Sequence, residues 1–129
     1  MAVSIVRLGS KRLAGEGTRL GTVRRPPRGV PKARFAKDDY YDVWLPNLAP
    51  SLPAMKRALT ARTEKEWAAF ARRYRAEMAK PDASRVLDTL AALSQHANFS
   101  VGCYCEDEAH CHRGLLRALL QERGAKIRP

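Results

Sequence analysis

Between Ser84 and Gly124 the apolar residues change period twice, and that change limits the architecture most. From Ser84 to His96, Val86, Leu87, Leu90 and Leu93 fall on one side of a helix. In NFSVGCYC, Phe99, Val101, Cys103 and Cys105 alternate, the period of a strand that meets the interior on one face. CHRGLLRALLQERGA returns to a helical period, with Leu115, Leu116, Leu119 and Leu120 inward and Gly124 placed to close the helix. A strand set between two amphipathic helices buries its apolar face by layering against them. The expected fold is α/β: a small single-domain layered fold with a partly parallel sheet flanked by helices. At 129 residues, residues 1–129 form one domain.

The rest of the chain fits that plan. VSIVRL, residues 3–8, reads as a first strand, and residues 18–25, TRLGTVRR, as a second. RPPRGVPKARF, from Arg25 to Phe35, has three prolines and a glycine and excludes regular helix or central strand. Tyr41 to Leu45 is a short strand ended by Pro46. A short helix is expected over 52–61. Thr63 and Glu66 then form a capping box that opens a longer helix. Trp67, Phe70, Ala71, Tyr74 and Met78 make one face of it, a stripe expected to pack on the core. Pro81 breaks that helix, and Asp82 or Ser84 caps the next.

No apolar run approaches the roughly 20 residues that span a bilayer, so no membrane partner is expected. The N-terminus has no apolar stretch of signal-peptide form, and a cytoplasmic setting is expected. In a reducing compartment three cysteines are thiols, ligands or catalytic groups rather than a disulfide framework. The net charge is +11 and unevenly spread. Residues 1–37 hold ten Lys/Arg against one acid, Glu16, or +9; residues 38–129 hold fourteen against twelve, or +2. Such a field favours an anionic small molecule or nucleic acid as partner.

The candidate chemistry lies in GCYCEDEAHCHRG, Gly102 to Gly114, which holds all three cysteines and two of the three histidines. It follows a strand and opens a helix, the position beyond strand ends where α/β sheets hold ligands. Four uses are open. Cys103, Cys105, Cys111 and His112, with His110 beside them, are soft ligands suited to zinc. The C-x-C-x5-C-H spacing is unusual, however, and adjacent Cys111 and His112 are not expected to reach one ion, so no metal or cofactor is assigned. Cys105 and Cys111 flank a loop short enough for a transient disulfide. Cys111 at a helix start beside His112 and Arg113 suits a nucleophilic thiolate, making it the expected most reactive thiol, with Glu106 as a general acid or base. Lastly, the helix N-terminus with Arg113 suits a phosphate or carboxylate, joined by Arg24, Arg25 and Arg28 at the end of the second strand. This last use draws on both the charge asymmetry and the arginines. Cys103 is expected to be core packing; Trp44, Tyr40 and Tyr41 are expected to be packing more than base-stacking groups.

RRPPRGV (Arg24 to Val30), WLPNLAPS (Trp44 to Ser51) and EKEWAAFARRYRAEM (Glu64 to Met78) resemble motifs of the YeaO-like family of bacterial domains of unknown function, within the domain of unknown function 488 superfamily. The resemblance covers about residues 2–124. The tail resembles the wider superfamily's C-x-E-x-x-x-x-C-H-R signature on Cys105, Cys111, His112 and Arg113, with Glu106 one place early. Many YeaO-like members lack those cysteines, so the chain joins one branch's front to the other's tail. The resemblance implies a small α/β domain and groups Arg25 and Arg28 with the Cys-His-Arg triplet. The functional expectation is an Arg/Cys-lined crevice for a phosphate- or nucleotide-like anion, with Cys-dependent catalysis by Cys111, His112 and Glu106. The alternatives are a basic nucleic-acid-binding module without catalysis and a small zinc-binding protein.

Overall fold

In the computed structural model, which describes residues 1–129, four strands share one sheet. β1 (Val3–Arg7), β2 (Thr18–Gly21), β3 (Val43–Trp44) and β4 (Phe99–Cys103) stand in the order β1-β4-β2-β3. Every neighbouring pair is parallel, so the sheet expected to be partly parallel is wholly so. β4 comes last in the chain yet stands between β1 and β2, with Val101 opposite both Ile5 and Leu20.

Helices cover one face. α1 (Leu52–Thr60), α2 (Glu64–Met78), α3 (Pro81–Leu93) and α4 (His112–Glu122) supply Phe70, Tyr74, Leu87, Leu116 and Leu120 to a core shared with Val3, Phe99 and Val101. The stripe on α2 packs inward as its period requires: Phe70, Tyr74 and Met78 are buried. Thr63 caps α2 by accepting from the Glu66 N–H at 3.1 Å. Pro81 opens α3 instead of preceding it. It occupies the first helical turn, where its missing N–H has no partner to lose, and Lys80 is the N-cap rather than Asp82 or Ser84.

The other face departs from the sequence reading. β4 is buried along its whole length and ends at Cys103, short of Cys105. The reason is a layer of loop. Residues 8–17 and 35–42 lie over this face, and their polar groups close on a buried arginine. Arg19 donates to Glu16 from Nε (2.7 Å) and Nη2 (2.9 Å), and from Nη1 to the carbonyls of Ser10 and Asp39. The Ser100 hydroxyl donates to the same carboxylate. Small and polar residues on this side, Ser4, Ser100 and Gly102, are the mark of a close polar lid. Gly17 belongs to it: its φ is +80°, and a Cβ there would collide with the Asn98 carbonyl. β2 stops at Gly21, not at Arg25, because Thr22 turns its hydroxyl and N–H onto the Gly102 carbonyl (2.8 and 3.0 Å) and the prolines follow.

All four strands point the same way, so their carboxyl ends share one edge. From β4 the chain turns into α4, which packs on β4 and β1; from β2 it runs towards β3. The paths part between the two central strands, and a crevice opens there. No helix is long and apolar enough to cross a membrane.

Candidate functional site

The loop after β4 folds back on α4. Asp107 caps a short 3-10 turn, Glu108–His110, by accepting from the Ala109 N–H (3.0 Å), and its other oxygen meets His110 Nδ1 at 2.9 Å. Arg117 on α4 grips Glu108 with two bonds, 2.7 and 2.9 Å. Gly114 lets this turn sit on the helix, for a Cβ would stand 2.7 Å from the Glu108 carbonyl oxygen. Cys111 ends the loop as the N-cap of α4, its Sγ accepting from the Arg113 N–H at 3.5 Å.

This folding gathers sulfur. Cys103 and Cys105 stand with Sγ atoms 3.6 Å apart. Cys111 Sγ lies 4.0 Å from His112 Nδ1. The ligand atoms of Cys103, Cys111 and His112 all fall within 4.8 Å of one another. Cys103 packs in a small buried core with Leu8, Val23, Tyr41 and Cys111, as expected, and also stands in the cluster. Cys111 and His112, adjacent and not expected to serve one ion, turn their ligand atoms to within 4.0 Å, because the N-cap has extended backbone while His112 is already helical. His112 Nε2 is 2.7 Å from the Thr22 carbonyl. A carbonyl only accepts, so Nε2 carries the proton and Nδ1 presents its lone pair to the sulfurs. Burial pulls the imidazole down to about 4 against the raising effect of that carbonyl, so it is neutral at pH 7.

The three thiols differ in their surroundings and in their exposure. Bonds from the Cys103 and Cys111 thiols, aided by the charge of Arg113, lower Cys105 below the ordinary thiol range. Bonding to Cys105 and Cys111, with burial, pushes Cys103 far up. At Cys111 the bond from Cys103 lowers the thiol, but Cys105 and burial outweigh it and leave it at about 11. Cys105 is the thiol open to solvent, while Cys111, 3% exposed, is buried at the N-cap of α4.

A cleft of about 510 Å³ lies above the cluster, with a mostly apolar wall. It is lined by Cys103, Cys105, Cys111 and His112, by Arg24, Arg25 and Arg28, and by Tyr40, Phe70 and Tyr104; no carboxylate lines it. Arg24 is partly engaged, donating to the carbonyls of Ala49 (3.0 Å) and Pro50 (3.2 Å). The guanidinium groups of Arg25 and Arg28 have neither a hydrogen bond nor an ion pair within the chain, and both residues are exposed. The Tyr104 hydroxyl donates to the Arg25 carbonyl at 3.0 Å, pinning the proline loop to the end of β4.

Two expected site residues lie elsewhere. The Glu106 side chain is 83% exposed and turns to Arg7 at 3.5 Å, away from the cleft lining. Arg113 is 4% exposed and does not line the cleft. Its Nη2 donates to the Cys105 carbonyl at 2.9 Å, so it anchors the loop from beneath, and its buried Nε has no partner. Tyr41 is buried in the small core beneath the cleft, and Trp44 donates from Nε1 to the Val23 carbonyl at 2.7 Å. Tyr40 and Tyr104 reach the cleft; Tyr104 carried no sequence signal beyond its place between two cysteines.

No curated protein and no solved structure matches the chain. A family model described as the active DUF488-N3 subclade matches residues 3–124. That span runs from β1 to Gly124, two residues past α4, and so takes in both walls of the cleft and the whole Cys/His cluster. The chain is a member of the DUF488 family.

Proposed function

We propose that this chain binds a small anionic ligand with a flat apolar portion, of nucleotide kind, in the cleft beyond β2 and β4, and acts on it with the Cys/His cluster at the cleft floor. The observation that carries this reading is the lining: two unpaired guanidinium groups and a third partly engaged one, with no carboxylate to oppose them. A charge-assisted bond from each of Arg25 and Arg28 is worth about 1.5–3 kcal/mol. The tyrosines and the apolar wall suit a ring rather than a bare phosphate. Pro26 and Pro27 between these arginines, and Pro31 after them, stiffen the loop and lower the entropy lost on binding. The description of the subclade as active agrees with chemistry at the floor.

The test is calorimetric titration with mononucleotides and inorganic phosphate. A mononucleotide is expected to bind more tightly than phosphate. The Arg25→Ala, Arg28→Ala double variant is expected to weaken it at least about tenfold, a loss of ~1.4 kcal/mol or more. Equal affinity in the double variant would sink the reading. The rival, a nucleic-acid module served by the +9 charge of residues 1–37, predicts instead that duplex DNA outcompetes the mononucleotide and that affinity falls steeply with salt.

A further inference from the structure

We propose that Cys103, Cys111 and His112 form a zinc-type metal site with three protein ligands, whose fourth position faces the cleft. This deepens the reading above by naming what the cleft floor holds. Two sulfurs on a tetrahedral zinc, each bonded at ~2.3 Å, stand about 3.7 Å apart. The ligand atoms of Cys103, Cys111 and His112 already lie within 4.8 Å of one another, with 4.0 Å between Cys111 Sγ and His112 Nδ1. A contraction of roughly an ångström brings them to bonding positions.

The surroundings are those of a ligand set rather than of chance neighbours. The Thr22 carbonyl holds the proton of His112 on Nε2, fixing the ring and aiming the Nδ1 lone pair at the sulfurs. The Arg113 N–H bonds Cys111 Sγ at 3.5 Å and would steady a thiolate there. Tyr74 packs its ring 5.6 Å from that of His112, closing the buried side. All three ligands are buried, so an ion there is screened from water except through the cleft.

Two thiolates and one imidazole are a soft, three-ligand donor set that selects zinc over magnesium or calcium, and three protein ligands leave one position open. Cys105 stands beside that position. Its Sγ is 3.6 Å from Cys103 Sγ, yet it falls outside the group that shares the 4.8 Å radius, and it is exposed. It closes the fourth position when the cleft is empty and yields it to an oxygen of the bound anion. The arginines then hold the anion's remaining charge above a Lewis acid.

The experiment is titration of untagged, metal-free protein with Co2+ alone, with no anion ligand present, so that metal binding and anion binding can fail separately. One equivalent is expected to give thiolate-to-cobalt charge transfer and the strong d–d absorption of a four-coordinate site. Cys111→Ser and His112→Ala are expected to weaken binding by more than the 10–100-fold typical of outer-shell changes. Cys105→Ser, altered at an exposed position, is expected to keep one-to-one binding with weaker charge transfer. X-ray absorption of the zinc-loaded wild-type protein tests the site with no variant to misfold; it should show two or three sulfurs and one nitrogen. A shell of nitrogen and oxygen alone overturns the proposal. So does a featureless cobalt titration, or a Cys105→Ser protein that loses metal as fully as Cys111→Ser.

Discussion

Arg19 is the largest fully buried side chain in the protein, and the sequence marked it only as one residue of a strand. Its partner Glu16 shows how such a charge is tolerated. Burial alone would raise the Glu16 carboxyl, but bonds from Arg19, from Ser100 and from the Leu13 N–H outweigh it and hold the group at about 2, against an ordinary 4.5. A carboxylate depressed in the folded state adds stability that is complete above about pH 4.5 and is lost as pH falls towards 2. The urea midpoint of the wild type is therefore expected to fall across that window. Glu16→Gln leaves Arg19 buried without its counter-charge and is expected to cost about 3–5 kcal/mol at pH 7. The difference between the two proteins should narrow between pH 4.5 and 2, which separates Glu16 from other carboxylates that titrate there. A gap that stays constant with pH would show that Glu16 is not ionised in the fold. The pair was illegible in the sequence because Glu16 and Arg19 flank a glycine in a basic stretch, where an ion pair on the surface looks the same.

At the scale of elements, the helices were legible because their apolar periods are long and clean, and Thr63 caps α2 where it was expected, although the Glu66 carboxylate accepts from the Arg62 N–H instead of closing the box on the Thr63 N–H. The chemistry-bearing stretch was legible too, since its residue types cluster along the chain. Which thiol faces solvent was not. That depends on how residues 104–111 fold back, which is set by Gly114 beneath Glu108 and by the reach of Arg117 from one helical turn further on. Nor could spacing reveal that the proline loop and the loop after β4 join through Tyr104 and the Arg25 carbonyl. Gly114→Ala tests this element directly. The added methyl must lift the 108–110 turn, uncovering Cys111. In the metal-free wild type, iodoacetamide is expected to label Cys105 first. In the variant, Cys111 labelling, read by peptide mass, is expected to rise at least about tenfold while Cys105 changes little. Unchanged protection of Cys111 would mean that the turn does not shield it.

For the molecule as a whole, the strand order matters more than any one contact. β1 and β2 do not pair with each other; each pairs with β4. The isolated bridge from Val3 to Ile127 adds another late contact to β1. A fragment of residues 1–97 keeps β1, β2 and three of the four helices, and still lacks the strand that joins the sheet. Such a fragment is expected to give no dispersed amide spectrum and no cooperative melt, whereas the full chain melts in one transition. A cooperative melt of the fragment would show that the helices and loop layer hold β1 and β2 without β4. The same order governs how the protein is made. Synthesis runs from the N-terminus, so two strand edges with unused hydrogen bonds emerge before their common neighbour, the later of them nearly eighty residues ahead of it. For most of translation the nascent chain is open to wrong pairings, and the sheet can close only once the last quarter of the chain has left the ribosome.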